Sequence, residues 1–156
     1  MQSFNRRSFL ALGALALGCR RAMPRRLRVG ASVSPARRIV SLSPVATEAL
    51  YALGAGGRVV GISALCDGPA QALSRPRVGT MVAPDAEAIR ALHPDAVVGV
   101  EGPLATPALR SLHDAGVAML FPKADTLADL RDALDVFAAL ADAPSAADAL
   151  RRRMDD

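Results

Sequence analysis

Aromatic residues are scarce in this sequence, with four phenylalanines, one tyrosine and no tryptophan among 156 residues. Cysteine and histidine occur only twice each. Two cysteines are too few to build a disulfide scaffold. Glycine follows no period, which excludes a collagen-like chain, and a hydrophobic content of 51% excludes intrinsic disorder. What is present suffices for one globular domain with a core of its own, and not for two.

Acidic residues are missing from one region altogether. Residues 1–38 carry nine arginines and no Asp or Glu, so residues 39–156 hold the other 10 of the 19 basic residues and all 15 acidic ones, a net of −5. A nucleic-acid binder needs its positive charge on the folded surface that faces phosphates. Here the basic excess lies ahead of the fold, and no nucleic-acid partner is expected.

A long apolar run is also missing. Arg6 and Arg7 head an uncharged stretch from Ser8 to Gly18, eleven residues that as a helix would reach roughly 16 Å, against a hydrocarbon core of about 30 Å. A charged head, a short apolar run and small residues after it read as an export signal over residues 1–18. Arg6-Arg7-Ser8-Phe9-Leu10 resembles a twin-arginine signal, although Asn5 and Ala11 depart from its common form. General secretion and a buried N-terminal helix are the other readings. Ala16-Leu17-Gly18-Cys19 resembles a lipoprotein cleavage box, which would make Cys19 a lipidation site and residues 19–37, rich in Arg and Pro, a tether beside anionic headgroups. A plain signal cleavage further along would discard Cys19 instead. Cys66 is the one other thiol, so no disulfide within the mature chain is expected.

From Arg38 the pattern alternates. Ile39–Leu42, Val59–Ile62, Ala96–Val100 and Val117–Phe121 are short, continuous apolar runs, and they read as strands buried on both faces. Between them Ala46–Leu53, Asp85–Leu92 and Pro107–Ala115 read as helices bounded by Gly or Pro, with Asp85 at an N-cap. Leu127, Leu130, Leu134, Phe137 and Leu140 recur at helical spacing, and Asp125 is placed to cap that helix. The class is α/β: a three-layer, Rossmann-like lobe over residues 38–142 with a mainly parallel sheet. Ligands of such sheets sit beyond the carboxyl ends of the strands.

Enzyme constellations are absent: the sequence has no GxGxxG after the first strand, no P-loop, no GxSxG and no HExxH. His93 and His113 stand near helix ends and read as surface caps. Cys66-Asp67 lies in a strand-end loop, where a soft metal or a plain loop residue are the two readings. Asp125, Asp129, Asp132 and Asp135 form the solvated side of the last long helix.

Three ordered stretches carry a family resemblance. They are Arg38–Pro44 with Thr47-Glu48 and Leu50–Gly54; Val59–Ser63 with Cys66-Asp67 and Pro69; and Val78-Gly79 with Glu87–Ile89, Ala91-Leu92 and Pro94–Val98. In this order they resemble the cobalamin, haem and iron-siderophore binding proteins of ABC importers, the class III periplasmic binding proteins. The resemblance implies an exported binding protein with no catalytic activity and no cofactor of its own. It implies a ligand cleft lined by Ser43, Pro44, Leu65, Cys66, Asp67, Met81, Glu101 and Gly102, and a carboxylate, Glu87, that docks onto a permease. Its partners would be the permease and ATPase subunits, and its cargo a metal chelate or tetrapyrrole. Cobalamin binders carry aromatics where Leu65 and Met81 stand here, and a cleft without aromatics on this side speaks against cobalamin.

The family has two lobes joined by a long helix. Residues 143–156 resemble the start of that helix, so the sequence is expected to carry one lobe, with the second docking carboxylate elsewhere and an interlobe surface exposed. Two other functions stay open: a single-lobe interaction or sensor domain, and a small exported enzyme using Cys66 or Asp67.

Overall fold

The computed structural model describes residues 34–101 and 106–155. The export signal, Cys19, most of the tether and Gly102 lie outside them. Four strands, β1 (Ile39–Ser41), β2 (Val59–Ile62), β3 (Ala96–Val98) and β4 (Ala118–Leu120), form one sheet in the order β2-β1-β3-β4. Each pairing is parallel. Between and after the strands run α1 (Pro44–Ala52), α2 (Ala86–Ala91), α3 (Pro107–Asp114), α4 (Leu127–Ala141) and α5 (Pro144–Asp155). No helix among the described residues is long and apolar enough to cross a membrane.

Alternation along each strand builds the three layers. Ile39, Ile62, Val98 and Leu120 face one side, packed with Leu50 of α1, Phe137 and Leu140 of α4 and Ala147 of α5. Val40, Leu42, Val97 and Met119 face the other, against Ile89 of α2 and Leu109 and Leu112 of α3. Both faces are covered, which is why the strands read as unbroken apolar runs rather than as alternating ones.

Local chemistry sets the boundaries. The Ser43 side chain accepts from the Ala46 amide and Pro44 occupies the first turn, so α1 begins two residues earlier than its helix formers suggest. Asp85 caps α2 as expected, accepting from the Glu87 and Ala88 amides. α4 is capped by Thr126, not Asp125: the Thr126 hydroxyl accepts from the Asp129 amide, and the Asp129 carboxylate reaches back to Thr126. β3 and β4 stop at Val98 and Leu120, short of Val100 and Phe121: the Gly99 and Glu101 amides still donate to the Leu120 and Pro122 carbonyls, but Pro122 has no amide to return a bond.

The amino-terminal end of the sheet is tightly joined. The Asp95 carboxylate accepts from the Arg37 and Arg38 amides at 2.8 and 2.9 Å. The Arg38 guanidinium donates to the Leu92 and His93 carbonyls, the free acceptors at the end of α2. Ala36 is buried and its amide donates to the Leu140 carbonyl at 3.0 Å, so the folded unit takes in Ala36 and Arg37. α5 folds back along α4, with Arg151 between Asp135 and Asp148.

Candidate functional site

The chain leaves β1 for β2 on one side of the sheet and returns to β3 on the other. That reversal makes the carboxyl ends of β1 and β3 the topological switch point, the place where ligands of open parallel sheets bind. Four segments rim it: Leu42–Pro44 after β1, Ser63–Asp67 after β2, Gly99–Glu101 after β3 and Phe121–Lys123 after β4. The turn at residues 79–84, just ahead of α2, joins them at the same end.

Hydrogen bonds to backbone fix the segment after β2. The Arg77 guanidinium donates to the carbonyls of Ala64 and Cys66 at 2.9 and 3.0 Å, with Ser63 at 3.4 Å. The Ala64 amide donates to the Gly79 carbonyl at 2.7 Å, which ties this segment to the 79–84 turn. Within that turn Thr80 and Ala83 bond each other twice, through the Thr80 amide and through its hydroxyl, and Met81 and Val82 form the tip. Gly79 opens the turn at φ 83°, and a Cβ there would run into the Ala83 carbonyl oxygen.

The sequence-derived candidates divide. Leu65 and Asp67 are exposed at the edge, Pro44 and Met81 are half-buried there, and Glu101 is exposed with its carboxylate 3.7 Å from the Lys123 ammonium. Two others do not line a cleft. Cys66 is 2% exposed, and its sulfur lies 3.2 Å from the Thr47 hydroxyl, because α1 lies over it. Ser43 is 4% exposed and its hydroxyl is spent on capping α1. Burial of Cys66 also makes its thiol inaccessible as a nucleophile, one of the two groups, with Asp67, on which the enzyme reading rested. The two histidines sit at exposed helix ends, as read from the sequence.

Glu87 stands in the first turn of α2 with its side chain 91% exposed. α2 runs antiparallel to the strands, since its last carbonyls meet Arg38 at the amino end of β1. Glu87 is therefore at the same end as the switch point. Its carboxylate pairs with Arg90 at 2.7 Å, and Arg90 also donates to Ser111 of α3 at 2.8 Å.

Sequence reasoning missed two contributors, Arg77 and Phe121, and named Lys123 only by its place at a strand end. Arg77 organises the loop after β2 through carbonyls 11 to 14 residues away, a relation no local motif announces. Lys123 balances Glu101. Phe121 puts an aromatic ring at the edge after all: it flanks Gly99 together with the Met81 sulfur, so this side of the edge does have one aromatic wall.

A surface hollow of about 630 Å³ beside Glu48, Tyr51, Gln71 and Arg75 contains none of these residues and opens on the flank of α1. The edge, by contrast, concentrates exposed apolar side chains. Val45 at 42%, Leu65 at 66%, Val82 at 64% and Leu127 at 52% exposure all come from segments that follow a strand or open the next helix. Such a patch on one end of a lobe marks a surface that meets a ligand or another body.

A parallel α/β lobe with exposed apolar side chains gathered at the carboxyl ends of its strands is the kind of lobe that ligand-binding proteins use. The chain belongs to the periplasmic binding protein family, whose model matches residues 39–156. It is 33% identical over 113 residues to a vitamin B12-binding protein of Vibrio parahaemolyticus, covering 71% of this chain and 40% of that protein. To the vitamin B12-binding protein of Salmonella typhimurium it is 34% identical over 112 residues, covering 72% and 41%. Among solved structures it resembles a periplasmic haem-binding protein from Pseudomonas aeruginosa, with a TM-score of 0.70 and 31% identity over 76% of this chain and 44% of that one. The periplasmic vitamin B12-binding protein of Vibrio cholerae matches with a TM-score of 0.65 and 33% identity, over 78% and 49%. The chain spans a little under half the length of these relatives, a share that fits the N-terminal lobe.

Proposed function

We propose that this lobe is the N-terminal half of the substrate-binding component of an ABC importer, exported to the periplasm, and that its cargo is a tetrapyrrole or metal chelate. The observation that carries this reading is the apolar edge formed by Val45, Leu65, Val82 and Leu127, with Met81 and Phe121 behind it. Large, flat, partly apolar cargo is held by such surfaces with few polar groups. Relatives that bind vitamin B12 and haem support the cargo class.

In this reading Pro44, Leu65, Asp67, Met81 and Glu101 line the half-cleft. Glu87, exposed at the same end, offers its carboxylate to a cationic pocket on the permease, and the ATPase drives release. Charge-assisted pairing between a carboxylate and a guanidinium suits reversible docking. Cys19 would carry the lipid that keeps the protein at the membrane.

Haemin, cyanocobalamin and a ferric siderophore are each titrated into the full chain, followed by absorbance and by ligand-observed NMR at concentrations up to millimolar. Half a cleft makes fewer contacts than a whole one, so weak binding is expected. Saturable binding of one class, lost in Leu65→Asp, supports the reading. No binding of any of the three overturns it.

A further inference from the structure

Away from the carboxyl edge, a buried charged group stands without its partner. Among the described residues, Arg75 Nε is the one fully buried side-chain nitrogen or oxygen, in a residue not itself exposed, that makes no hydrogen bond. No carboxylate pairs with Arg75 among those residues either. A charged donor taken out of water without an acceptor costs free energy, and an anion that reaches it recovers that cost.

Arg75 lines the hollow of about 630 Å³ on the flank of α1, a volume within the range of small-molecule sites. Its backbone is fixed there, the Arg75 amide donating to the Ala72 carbonyl at 2.9 Å. Glu48 lines the same hollow, exposed, and its carboxylate is likewise without an ion-pair partner among the described residues. Tyr51 shares the hollow with Gln71, its hydroxyl donating to the Gln71 carbonyl at 3.4 Å. The Tyr51 ring packs on Gly56, where a Cβ would stand 2.5 Å from it, so Gly56 leaves the space that the ring occupies. Ring and Pro69 give the hollow an apolar part beside its two charges.

A lone anion would meet Arg75 and be repelled by Glu48, and a lone cation would meet the reverse. A molecule that carries both charges satisfies both walls. We propose that this hollow is a second ligand site, separate from the cargo edge, and that it takes a free α-amino acid. The carboxylate pairs with Arg75, the ammonium with Glu48, and the side chain lies on the Tyr51 ring. The Arg75 side chain turns so that Nε and an Nη hold the two carboxylate oxygens side-on, a pairing open to guanidinium and not to ammonium. The cargo reading is no premise of this site, because the hollow contains none of the edge residues.

Tyr51 is the only tyrosine and the sequence has no tryptophan, so the intrinsic fluorescence of the full chain reports from the hollow itself. L-Leucine is titrated into the full chain beside isocaproate, which lacks the ammonium, and isoamylamine, which lacks the carboxylate. A saturable change in fluorescence is expected for L-leucine, with each analogue at least about tenfold weaker. Arg75→Gln and Glu48→Gln are each expected to weaken L-leucine about tenfold, and Leu65→Asp, at the cargo edge, to leave it unchanged. Should either hollow variant fail to fold, the analogues decide on the wild-type chain alone. No saturable response to L-leucine overturns the proposal. So does an analogue that binds as tightly as L-leucine, or binding that both hollow variants leave intact. Failure of haemin, cyanocobalamin and siderophore to bind would remove the cargo reading and leave this site standing.

Discussion

The Thr47 hydroxyl lies 3.2 Å from the Cys66 sulfur and 2.9 Å from the Ser41 hydroxyl, joining α1, β1 and the loop after β2 at one buried point. The same oxygen is 3.0 Å from the Ser43 carbonyl, which also accepts from Ser41. Thr47→Val keeps the shape and leaves the Ser41 and Cys66 polar atoms short of a partner. A loss of about 1–3 kcal/mol in stability is expected, read from the urea midpoint. In wild type, Cys66 should react with iodoacetamide only as fast as the chain opens globally; rapid alkylation of the folded protein would contradict its burial.

Gly79→Ala forces a side chain onto φ 83° and against the Ala83 carbonyl. A cost of at least about 1–3 kcal/mol is expected, together with displacement of Met81 and Val82. Thermal denaturation gives the first, and the Met81 methyl resonance the second. An unchanged methyl signal would show that the turn does not hold Met81 in place.

Leu65→Asp and Val82→Asp place charge on an exposed apolar edge without touching the core. Cargo affinity is expected to fall about tenfold or more, while the melting temperature stays put, since surface changes cost little. Calorimetric titration beside a melting curve separates the two effects. A fall in stability equal to the fall in binding would place these side chains in the fold rather than at the ligand.

Glu87→Lys exchanges an exposed carboxylate for an ammonium next to Arg90. Exposed pairs contribute about 0–1 kcal/mol, so the lobe should fold as before. Association with the importer in proteoliposomes, followed by ATPase stimulation, should be lost. Normal stimulation by the variant would assign docking to another surface.

Strand positions were legible because parallel strands buried on both faces leave unbroken apolar runs, and helix ends because Gly, Pro and Asp85 mark them. The start of α1 was not, since Ser43-Pro44 reads equally as a strand-end loop and as a cap with its first-turn proline. Leu65 and Asp67, just past a strand end, are exposed, as that position suggests. Cys66 is their immediate neighbour, yet it points inward. Which residue of a loop turns under a helix depends on how that helix packs, and a one-residue step reverses it. Arg77 and Phe121 were unreadable for a related reason: their roles consist of contacts with residues distant in sequence.

Arg38 and Asp95 give the lobe a polarity of stiffness. At one end, backbone, carboxylate and guanidinium interlock β1, β3 and α2 with Ala36 held to α4. At the other, Leu65 and Val82 stand exposed at the tips of the rim turns, beyond the Arg77 and Thr80 bonds that hold those turns at their bases. Thermal fluctuation is therefore channelled away from the base and into the rim, so amide exchange should be slowest around Arg38–Ser41 and fastest around Leu65 and Val82. A scaffold anchored in this way can loosen its grip on a cargo without loosening itself.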